Sequence, residues 1–94
     1  MTKYTVRPTK KFLKDMKRIK KRGYNLALLD PVIRLLADGE RLPYRYQDHA
    51  LDGKYTGYRE CHITPDWLLI YQIDDDVLIL FLSETGTHSD LFKI

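Results

Sequence analysis

The N-terminal segment predicts a short β-strand followed by an amphipathic helix. Tyr4–Val6 is β-prone, and Pro8 closes it. The helix is expected to begin after an N-cap at Thr9 and to end near Arg22, since Gly23 suits a stop. Its apolar positions recur at helical spacing in one narrow stripe, made of Phe12, Leu13, Met16 and Ile19. Lysines surround this stripe, so the helix is strongly basic.

A second helix is predicted within Leu26–Asp38, where leucine, valine and isoleucine form a broad apolar face. Pro31 fits two starts. It is the first helical residue after a cap at Asp30, or it lies in the first turns of a longer helix. Residues 40–53 contain Pro43 and show no clear period, so we expect a loop there.

Three strands are predicted in the remainder of the chain. Tyr58–Ile63 alternates between two faces, and Trp67–Ile73 is apolar on both faces, as in a central strand. Val77–Leu82 follows a run of aspartates, and a helical turn is expected near Ser89–Lys93. Short connections favour antiparallel neighbours. The predicted fold class is α+β, in the order β-α-α-β-β-β, with two N-terminal helices packed on a small, mainly antiparallel sheet.

Composition narrows the class of protein further. The chain has 94 residues, with 44% hydrophobic and 31% charged, which predicts one globular domain over residues 1–94. No apolar run reaches the ~20 residues of a membrane span, and no apolar stretch follows the basic N-terminus. The single cysteine, Cys61, excludes an intrachain disulfide. We therefore expect a cytoplasmic protein without a membrane partner.

Charge is unevenly placed along the chain. Residues 1–34 hold 11 of the 16 Lys and Arg and 2 of the 13 Asp and Glu, a net of +9, whereas residues 35–94 carry a net of −6. A basic stripe of this kind suits a nucleic acid or an acidic protein. A solvated lysine-rich helix face has the same pattern, so charge alone leaves these alternatives open.

The expected hairpin registers gather polar residues at one end of the sheet. With the second turn centred on Asp75, Asp66 lies opposite Glu84. Glu60 shares a face with His62, while Cys61 points the other way. The residues drawn to this end are Glu60, His62, Asp66, Trp67, Glu84 and His88.

Histidines next to carboxylates favour acid–base chemistry. The three histidines are His49, His62 and His88, and an unperturbed imidazole has a pKa near ~6.5. Two histidines and a carboxylate can cleave RNA by removing the 2′-OH proton and protonating the leaving 5′ oxygen. A metal site with Cys61 is disfavoured, since no close-spaced ligand motif exists. Trp67 and Phe92 could stack on bases or pack in the core.

Three stretches then resemble YafQ-type toxins of the RelE superfamily. They are YQDHALDG at 46–53, GYRECHITPDWLLIY at 57–71 and TGTHSDLF at 85–92, and they follow the family's order and spacing. The resemblance implies a RelE-like fold and a bacterial toxin of a type II toxin–antitoxin pair. It implies cleavage of mRNA in the ribosomal A site without metal or cofactor, through a 2′,3′-cyclic phosphate. The implied partners are the ribosome, its A-site mRNA and a DinJ-like antitoxin.

Residues at matching positions carry over from this resemblance. The implied catalytic set is His49, Glu60, His62, Asp66 and His88. Trp67 and Phe92 are implied to bind substrate, and the first helix would bring lysines to ribosomal RNA, namely Lys10, Lys11, Lys14 and Lys17.

One position departs from the family pattern. Relatives often place an arginine just before the TGTH string, where this chain has Glu84. Either another base substitutes, such as Arg59 or Lys54, or the activity is reduced. The alternative function is therefore a catalytically weak module that binds antitoxin and RNA. A gyrase-directed relative on the same fold ranks last, because such proteins lack this histidine set.

Overall fold

The first helix begins where the sequence places its cap. The computed structural model describes residues 2–92, and in it α1 spans Lys10–Lys21. The Thr9 hydroxyl accepts a hydrogen bond from the Phe12 backbone N–H at 3.1 Å, which satisfies one of the amides that a helix start leaves open. Gly23 follows at φ 81°, a left-handed conformation that favours glycine. The predicted helix is confirmed.

The second helix begins before Pro31, as in the longer of the two predicted helices. A 3₁₀ turn at Leu26–Leu28 leads directly into α2, Leu29–Ala37, so Pro31 lies inside the first turn. The Asn25 side chain caps the 3₁₀ turn by accepting from the Ala27 N–H at 3.2 Å. Proline is tolerated there because the first helical amides have no intrahelical partner.

A five-stranded mixed sheet carries the rest of the chain, in the order β1-β5-β4-β3-β2. The strands are β1 Thr5–Pro8, β2 His49–Ala50, β3 Arg59–Thr64, β4 Trp67–Asp74 and β5 Ile79–Gly86. β1 pairs parallel with β5, and all other neighbours are antiparallel. The α+β class and the mainly antiparallel sheet are confirmed. The loop expected at 40–53 was wrong in part, because it contains β2 and a 3₁₀ turn at Tyr44–Tyr46.

The β4–β5 register differs from the expected one. Asp74 pairs with Ile79 across a four-residue turn, which the Asp74 carboxylate closes by accepting from the Asp76 N–H at 3.0 Å. The turn is therefore centred beyond Asp75, and β5 begins two residues later than predicted.

A bulge at Ser83 shifts the register once more. Ile70 pairs with Glu84 while its neighbour Tyr71 pairs with Leu82, so Ser83 is the extra residue. The Thr9 hydroxyl donates to the Ser83 carbonyl at 2.8 Å, which satisfies the bulged backbone. Glu84 thus lies opposite Ile70, and its expected pairing with Asp66 was wrong.

The two faces of the sheet are covered by different elements. On one face α1 and α2 enclose the larger core, which includes Phe12, Ile19, Val32, Leu36, Leu69, Tyr71, Leu80 and Leu82. On the other face α3, His88–Phe92, packs through Leu91 on Leu68 and Ile70. The expected helical turn in the tail is confirmed where it falls within the described residues, although Lys93 lies outside them. Within residues 2–92 no helix is long and apolar enough to cross a membrane.

Candidate active site

Strand alternation places a buried carboxylate beside two imidazoles. In β3, Glu60 and His62 face the α3 side of the sheet, while Cys61 faces the helical core. The short strand β2 pairs His49 with Glu60. Glu60 is 5% exposed, and its Oε1 lies 3.4 Å from His62 Nε2 and 3.6 Å from His49 Nε2. A single carboxylate oxygen therefore faces two imidazole nitrogens.

Backbone carbonyls orient these two imidazoles. His49 Nδ1–H donates to the Gln47 carbonyl at 2.7 Å, and His62 Nδ1–H donates to the Pro65 carbonyl at 3.4 Å. A carbonyl oxygen only accepts, so each contact favours the proton on Nδ1 and turns Nε2 towards Glu60. Gln47 adopts φ 48°, a left-handed conformation that costs energy for a residue with a Cβ. The unfavourable backbone conformation therefore occurs at the residue whose carbonyl orients His49.

His88 is held by Asp66 across the end of the sheet. The Asp66 Oδ1 accepts from His88 Nδ1–H at 2.7 Å and from the His88 backbone N–H at 3.2 Å. These hydrogen bonds keep the pKa of Asp66 below its ordinary value. The His88 and His62 ring centroids are 5.7 Å apart, and Phe92 lies 6.5 Å from His88. The third histidine therefore completes the cluster from the opposite side.

The same side chains form a group that could hold a metal ion. Glu60, His62 and His88 each offer one ligand atom, and these atoms all lie within 4.8 Å of one another. The combination of two imidazoles and a carboxylate suits zinc or copper. Cys61 takes no part, because it is fully buried in the helical core and burial raises the pKa of its thiol.

The loop before His88 is fastened to α1 through Asp90. Arg22 binds the Asp90 carboxylate with two hydrogen bonds of 2.6 and 2.9 Å, and Arg18 lies 3.3 Å from it. Asp90 also accepts from the Thr87 N–H at 3.0 Å. The paired guanidinium of Arg22 holds the pKa of Asp90 well below its usual range. A side chain at Gly86 would meet Asp90 at 2.9 Å, so the loop fits tightly.

A second carboxylate, which belongs to α1, binds the end of β5 just before this loop. Asp15 is fully buried, and its Oδ2 accepts from the Thr85 backbone N–H at 3.1 Å. Its other oxygen binds Lys11 at 2.6 Å and Arg18 at 2.7 Å. The Thr85 hydroxyl in turn accepts from Trp67 Nε1–H at 2.9 Å. A buried carboxylate is stable in such surroundings because cations and donors surround it.

Sequence reasoning missed Asp15, Asp90 and Gln47. One signal was present for Asp15, which stands between Phe12 and Ile19 at helical spacing and thus on the buried stripe. An acid at such a position requires a partner. No sequence signal marks the left-handed backbone at Gln47, and the pairing of Asp90 with Arg22 joins residues distant in the chain.

Trp67 does not reach the site, and its predicted stacking on bases was wrong. It is 1% exposed, lies in the helical core and packs edge-to-face on Tyr24 with ring centroids 5.2 Å apart. His62 pairs with Leu68, so the residue before Leu68 faces the opposite side of the sheet. From the helical core, Trp67 holds Thr85 through the hydrogen bond from its Nε1–H to the Thr85 hydroxyl.

Arg59 and Lys11 are engaged elsewhere. Arg59 lies on the same face as Cys61, where it pairs with Asp48 at 3.1 Å, so its suggested role as substitute phosphate-binding base was wrong. Lys11 binds Asp15 and lies 3.7 Å from Glu84, so its charge offsets two acids of its own chain.

The remaining predicted residues are at least partly exposed. Phe92 is half-buried, packing on Tyr55 at 5.6 Å between ring centroids, and Lys54 lies 5.6 Å from the centre of the same ring. The exposed lysines of α1 include Lys10, Lys14 and Lys17.

An α+β domain with three histidines and two carboxylates at one end of its sheet defines a small acid–base site. Residues 4–93 match the model of the YafQ family, described as bacterial toxin of type II toxin-antitoxin system, YafQ. The chain belongs to this family, as the sequence motifs predicted.

Relatives agree in sequence and fold. The mRNA interferase toxin YafQ of Escherichia coli K12 is 40% identical over 82 residues, which cover 86% of this chain and 87% of the relative. A metal-bound toxin from Helicobacter pylori has 44% identity and a TM-score of 0.89, covering 98% of this chain and 100% of that one. YafQ in the E. coli DinJ-YafQ toxin-antitoxin complex has 36% identity and a TM-score of 0.86, covering 96% and 98%. Since mRNA interferases are endoribonucleases, the predicted enzyme class is confirmed at the level of the family.

Proposed function

We propose that this chain is an mRNA interferase that cleaves mRNA in the ribosomal A site. The 2′-oxygen attacks the neighbouring phosphorus, the bond to the 5′ oxygen breaks, and a 2′,3′-cyclic phosphate remains. Such a reaction needs one group to accept a proton and another to donate one. The observation that carries the proposal is the convergence of Glu60, His62 and His88 within 4.8 Å.

The hydrogen bonds favour a division of roles between the two sides of the cluster. Asp66 accepts from His88 Nδ1–H at 2.7 Å, which holds the ring with its other nitrogen directed away from Asp66, so we assign His88 as the acid that protonates the 5′ oxygen. His62 turns Nε2 towards Glu60, so we assign it as the base, with Glu60 stabilising the imidazolium that forms. His49 supports Glu60 from β2. Each proton transfer is typically worth ~10²–10⁴-fold in rate.

The basic helix supplies the means of reaching the ribosome in this proposal. Lys10, Lys14 and Lys17 are exposed on α1, and phosphate contacts give affinity without base specificity. Lys54 and Phe92 lie near Tyr55 and are proposed to hold the mRNA on the α3 side. The expected cytoplasmic location fits a ribosomal target.

A DinJ-like antitoxin is the proposed partner. The structure of the E. coli relative is a DinJ-YafQ complex. We propose that such an antitoxin covers part of the basic surface on α1, because one surface cannot bind RNA and antitoxin together. An antitoxin segment that folds on binding would offset its ordering cost with a large interface.

Metal plays no role in the proposed cleavage. Protonation and a metal bond use the same nitrogen lone pairs, so an ion held by Glu60, His62 and His88 would block acid–base chemistry. The relative from H. pylori binds a metal, and the group described here could do the same. We therefore expect added zinc to inhibit cleavage and a chelator to leave cleavage intact.

The weak or inactive alternative rests on Glu84 standing where relatives often have an arginine, and that substitution remains its motive. The repulsion expected from Glu84 facing Asp66 does not arise, since Glu84 lies opposite Ile70 with Lys11 3.7 Å away. A carboxylate compensated by its own lysine repels an incoming phosphate less than an unpaired one.

The proposal is tested by primer extension on a reporter mRNA translated with purified ribosomes. Wild-type protein should cut the ribosome-bound mRNA, with or without a zinc-selective chelator that leaves Mg²⁺ in place, and leave the free mRNA intact. His88→Ala should bind antitoxin normally and cut at least ~100-fold more slowly. Equal cutting by wild type and His88→Ala would contradict the assigned chemistry, and equal cutting of free mRNA would contradict the ribosome dependence.

A further inference from the structure

A cavity of about 420 Å³ opens beside His62. Its volume falls in the range of ~300–1,000 Å³ typical of small-ligand sites. Besides His62, its walls come from the end of β3 and the turn after it, from the loop that leads to β2 and from the 3₁₀ turn before α2, including Leu28, Arg45, Gln47, Thr64 and Pro65. His62 therefore borders both the acid–base cluster and this cavity, and the proposed cleavage uses none of the other walls directly.

Arg45 is the cation of the cavity. Its guanidinium carbon lies 4.9 Å from the centre of the Tyr46 ring, and its Nη2 donates to the Tyr46 hydroxyl at 3.0 Å. Tyr46 is a buried core residue, so it provides a fixed support for an exposed guanidinium.

Three other arginines are already neutralised by carboxylates. Arg18 and Arg22 pair with Asp90, and Arg59 pairs with Asp48. Within the part of the chain that the structure describes, no ion pair involves Arg45. A guanidinium carries five N–H donors, so most of those on Arg45 remain open to an anion.

The remaining walls suit a nucleotide better than a simple anion. Thr64 and Gln47 supply polar groups, while Leu28, 42% exposed, and Pro65 supply an apolar surface next to them. Phosphate, ribose and base offer the matching sequence of charge, hydroxyl and flat apolar ring. A peptide segment would also fit an apolar wall, but the shared border with His62 favours the molecule that reacts there.

We propose that this cavity is a subsite for the nucleotide next to the cleaved bond, and that Arg45 binds its phosphate. The proposal rests on the proposed function and deepens it. Relatives often have an arginine where this chain has Glu84, and Arg59 is paired with Asp48. Arg45 then supplies the cationic contact to phosphate in their place.

The test measures binding of RNA without cleavage, so it does not depend on activity. The probe is a fluorescent single-stranded RNA hexamer with 2′-O-methyl groups at every position, followed by anisotropy from low to moderate salt. Arg45→Gln should weaken binding about tenfold, since a charge-assisted contact is lost. The slope of log K against log salt should fall by ~0.7, the value for one phosphate on a single strand. Arg45→Lys should restore part of the affinity.

Arg41→Gln is the matched control, because Arg41 is an exposed arginine of the same loop that lines a different cavity. It should bind the hexamer within about twofold of wild type. Equal losses in Arg41→Gln and Arg45→Gln would overturn the subsite in favour of general charge attraction. An Arg45→Gln variant that binds the hexamer like wild type and loses antitoxin affinity would assign the cavity to a protein partner instead. Absence of hexamer binding by wild type would also overturn the subsite.

Ribosomal cleavage by the same variants separates this inference from the proposed function. Arg45→Gln should raise KM and leave kcat within about threefold, the mark of a binding contact. If wild type binds the hexamer through Arg45 and cuts no ribosome-bound mRNA, the proposed function fails and the subsite stands. If wild type cuts and Arg45→Gln matches it in both measurements, the subsite fails and the proposed function stands.

Discussion

The candidate site has two halves that are held in place by different forces. The strand half consists of His49, Glu60 and His62, on β2 and β3, and sheet pairing and backbone carbonyls orient it. The clamped half consists of Asp66 and His88, and the loop before His88 is fastened to α1 by two acids. The strand half uses short-range contacts in a sheet. The clamped half depends on ion pairs that reach about 70 residues along the chain.

The attachment of the His88 loop to α1 links the basic helix to the catalytic residues. Asp15 and Arg18 belong to α1, the same helix that carries the exposed lysines, and Arg22 caps its C-terminal end. Anything that moves α1 relative to the sheet will therefore disturb His88 more than His62. We expect mutations of the clamp to act on proton donation first.

The largest effect is expected from removing either imidazole. His62→Ala and His88→Ala should each lower the rate of cleavage by ~10²–10⁴-fold, since each removes one proton transfer. Groups that act as a unit are strongly non-additive, so the double variant should be little slower than either single one. Single-turnover cleavage of ribosome-bound mRNA measures all three. Losses that multiply in the double variant would show that the halves work independently.

Asp15→Asn should give the next largest effect, on stability and on His88 together. The amide oxygen can still accept from Thr85, but the charge that binds Lys11 and Arg18 is lost from a fully buried position. Because Lys11 and Arg18 are partly exposed and remain solvated, the loss is that of their charge-assisted hydrogen bonds, about 1.5–3 kcal/mol in free energy of unfolding. Urea unfolding measures this loss.

Asp30→Asn, an exposed acid on α2, is the matched control for Asp15→Asn and should unfold within ~0.5 kcal/mol of wild type. In the folded Asp15→Asn variant, kcat should fall while KM changes little, because the defect lies at His88. A variant that unfolds like wild type would mean that Thr85 is held by the sheet alone.

The two halves of the candidate site differ in how far the sequence predicts them. The alternation of 58–63 places Glu60 and His62 on one face and Cys61 on the other, and periodicity suffices for that. The register of the first hairpin could be predicted only to within one residue, and a shift of one residue moves a side chain to the opposite face, so the side of the sheet on which Trp67 lies was not determined. The turn at Pro65 does not fix that register by itself.

The contacts that hold the clamped half could not be predicted from the local sequence pattern. The bulge at Ser83 depends on the Thr9 hydroxyl, and the fit of Gly86 depends on Asp90 and Arg22. Thr9 and Arg22 cap the two ends of α1, so these pairings form only once α1 packs on β5. The expected hairpin registers brought Asp66 and His88 to this end of the sheet, and the family motifs agreed, but neither predicted the ion pairs that hold the loop.

Arg22→Gln should have a moderate effect that depends on pH. In wild type the pKa of Asp90 is lowered because Arg22 pairs with the carboxylate. A carboxyl with a lowered folded-state pKa adds stability above its unfolded value of ~3.9, and this stability is lost as pH falls through the folded-state pKa. The variant should therefore unfold in less urea than wild type at pH 7, and the difference should shrink as pH falls below ~3.9.

Lys20→Gln makes the same charge change on the exposed side of α1 and controls for the helix itself. It should show no such convergence with wild type in acid. Arg22→Gln should also cut mRNA several-fold more slowly than Lys20→Gln. A difference between wild type and Arg22→Gln that stays constant from pH 7 to pH 2 would show that the pairing with Asp90 contributes nothing.

The smallest effect is expected from Gln47→Gly, which tests the strand half. Gln47 holds φ 48°, and glycine adopts that conformation without a Cβ penalty, so the variant should gain up to ~1 kcal/mol in free energy of unfolding. The contact to His49 uses the Gln47 carbonyl, which glycine keeps, so cleavage should change by less than about threefold. Urea unfolding and single-turnover cleavage measure the two quantities. Gln72→Gly, an ordinary strand position in β4, should instead lose stability. If Gln47→Gly is destabilised as much as Gln72→Gly, the Gln47 side chain contributes more than its conformation costs. The strand half would then depend on side-chain contacts as the clamped half does.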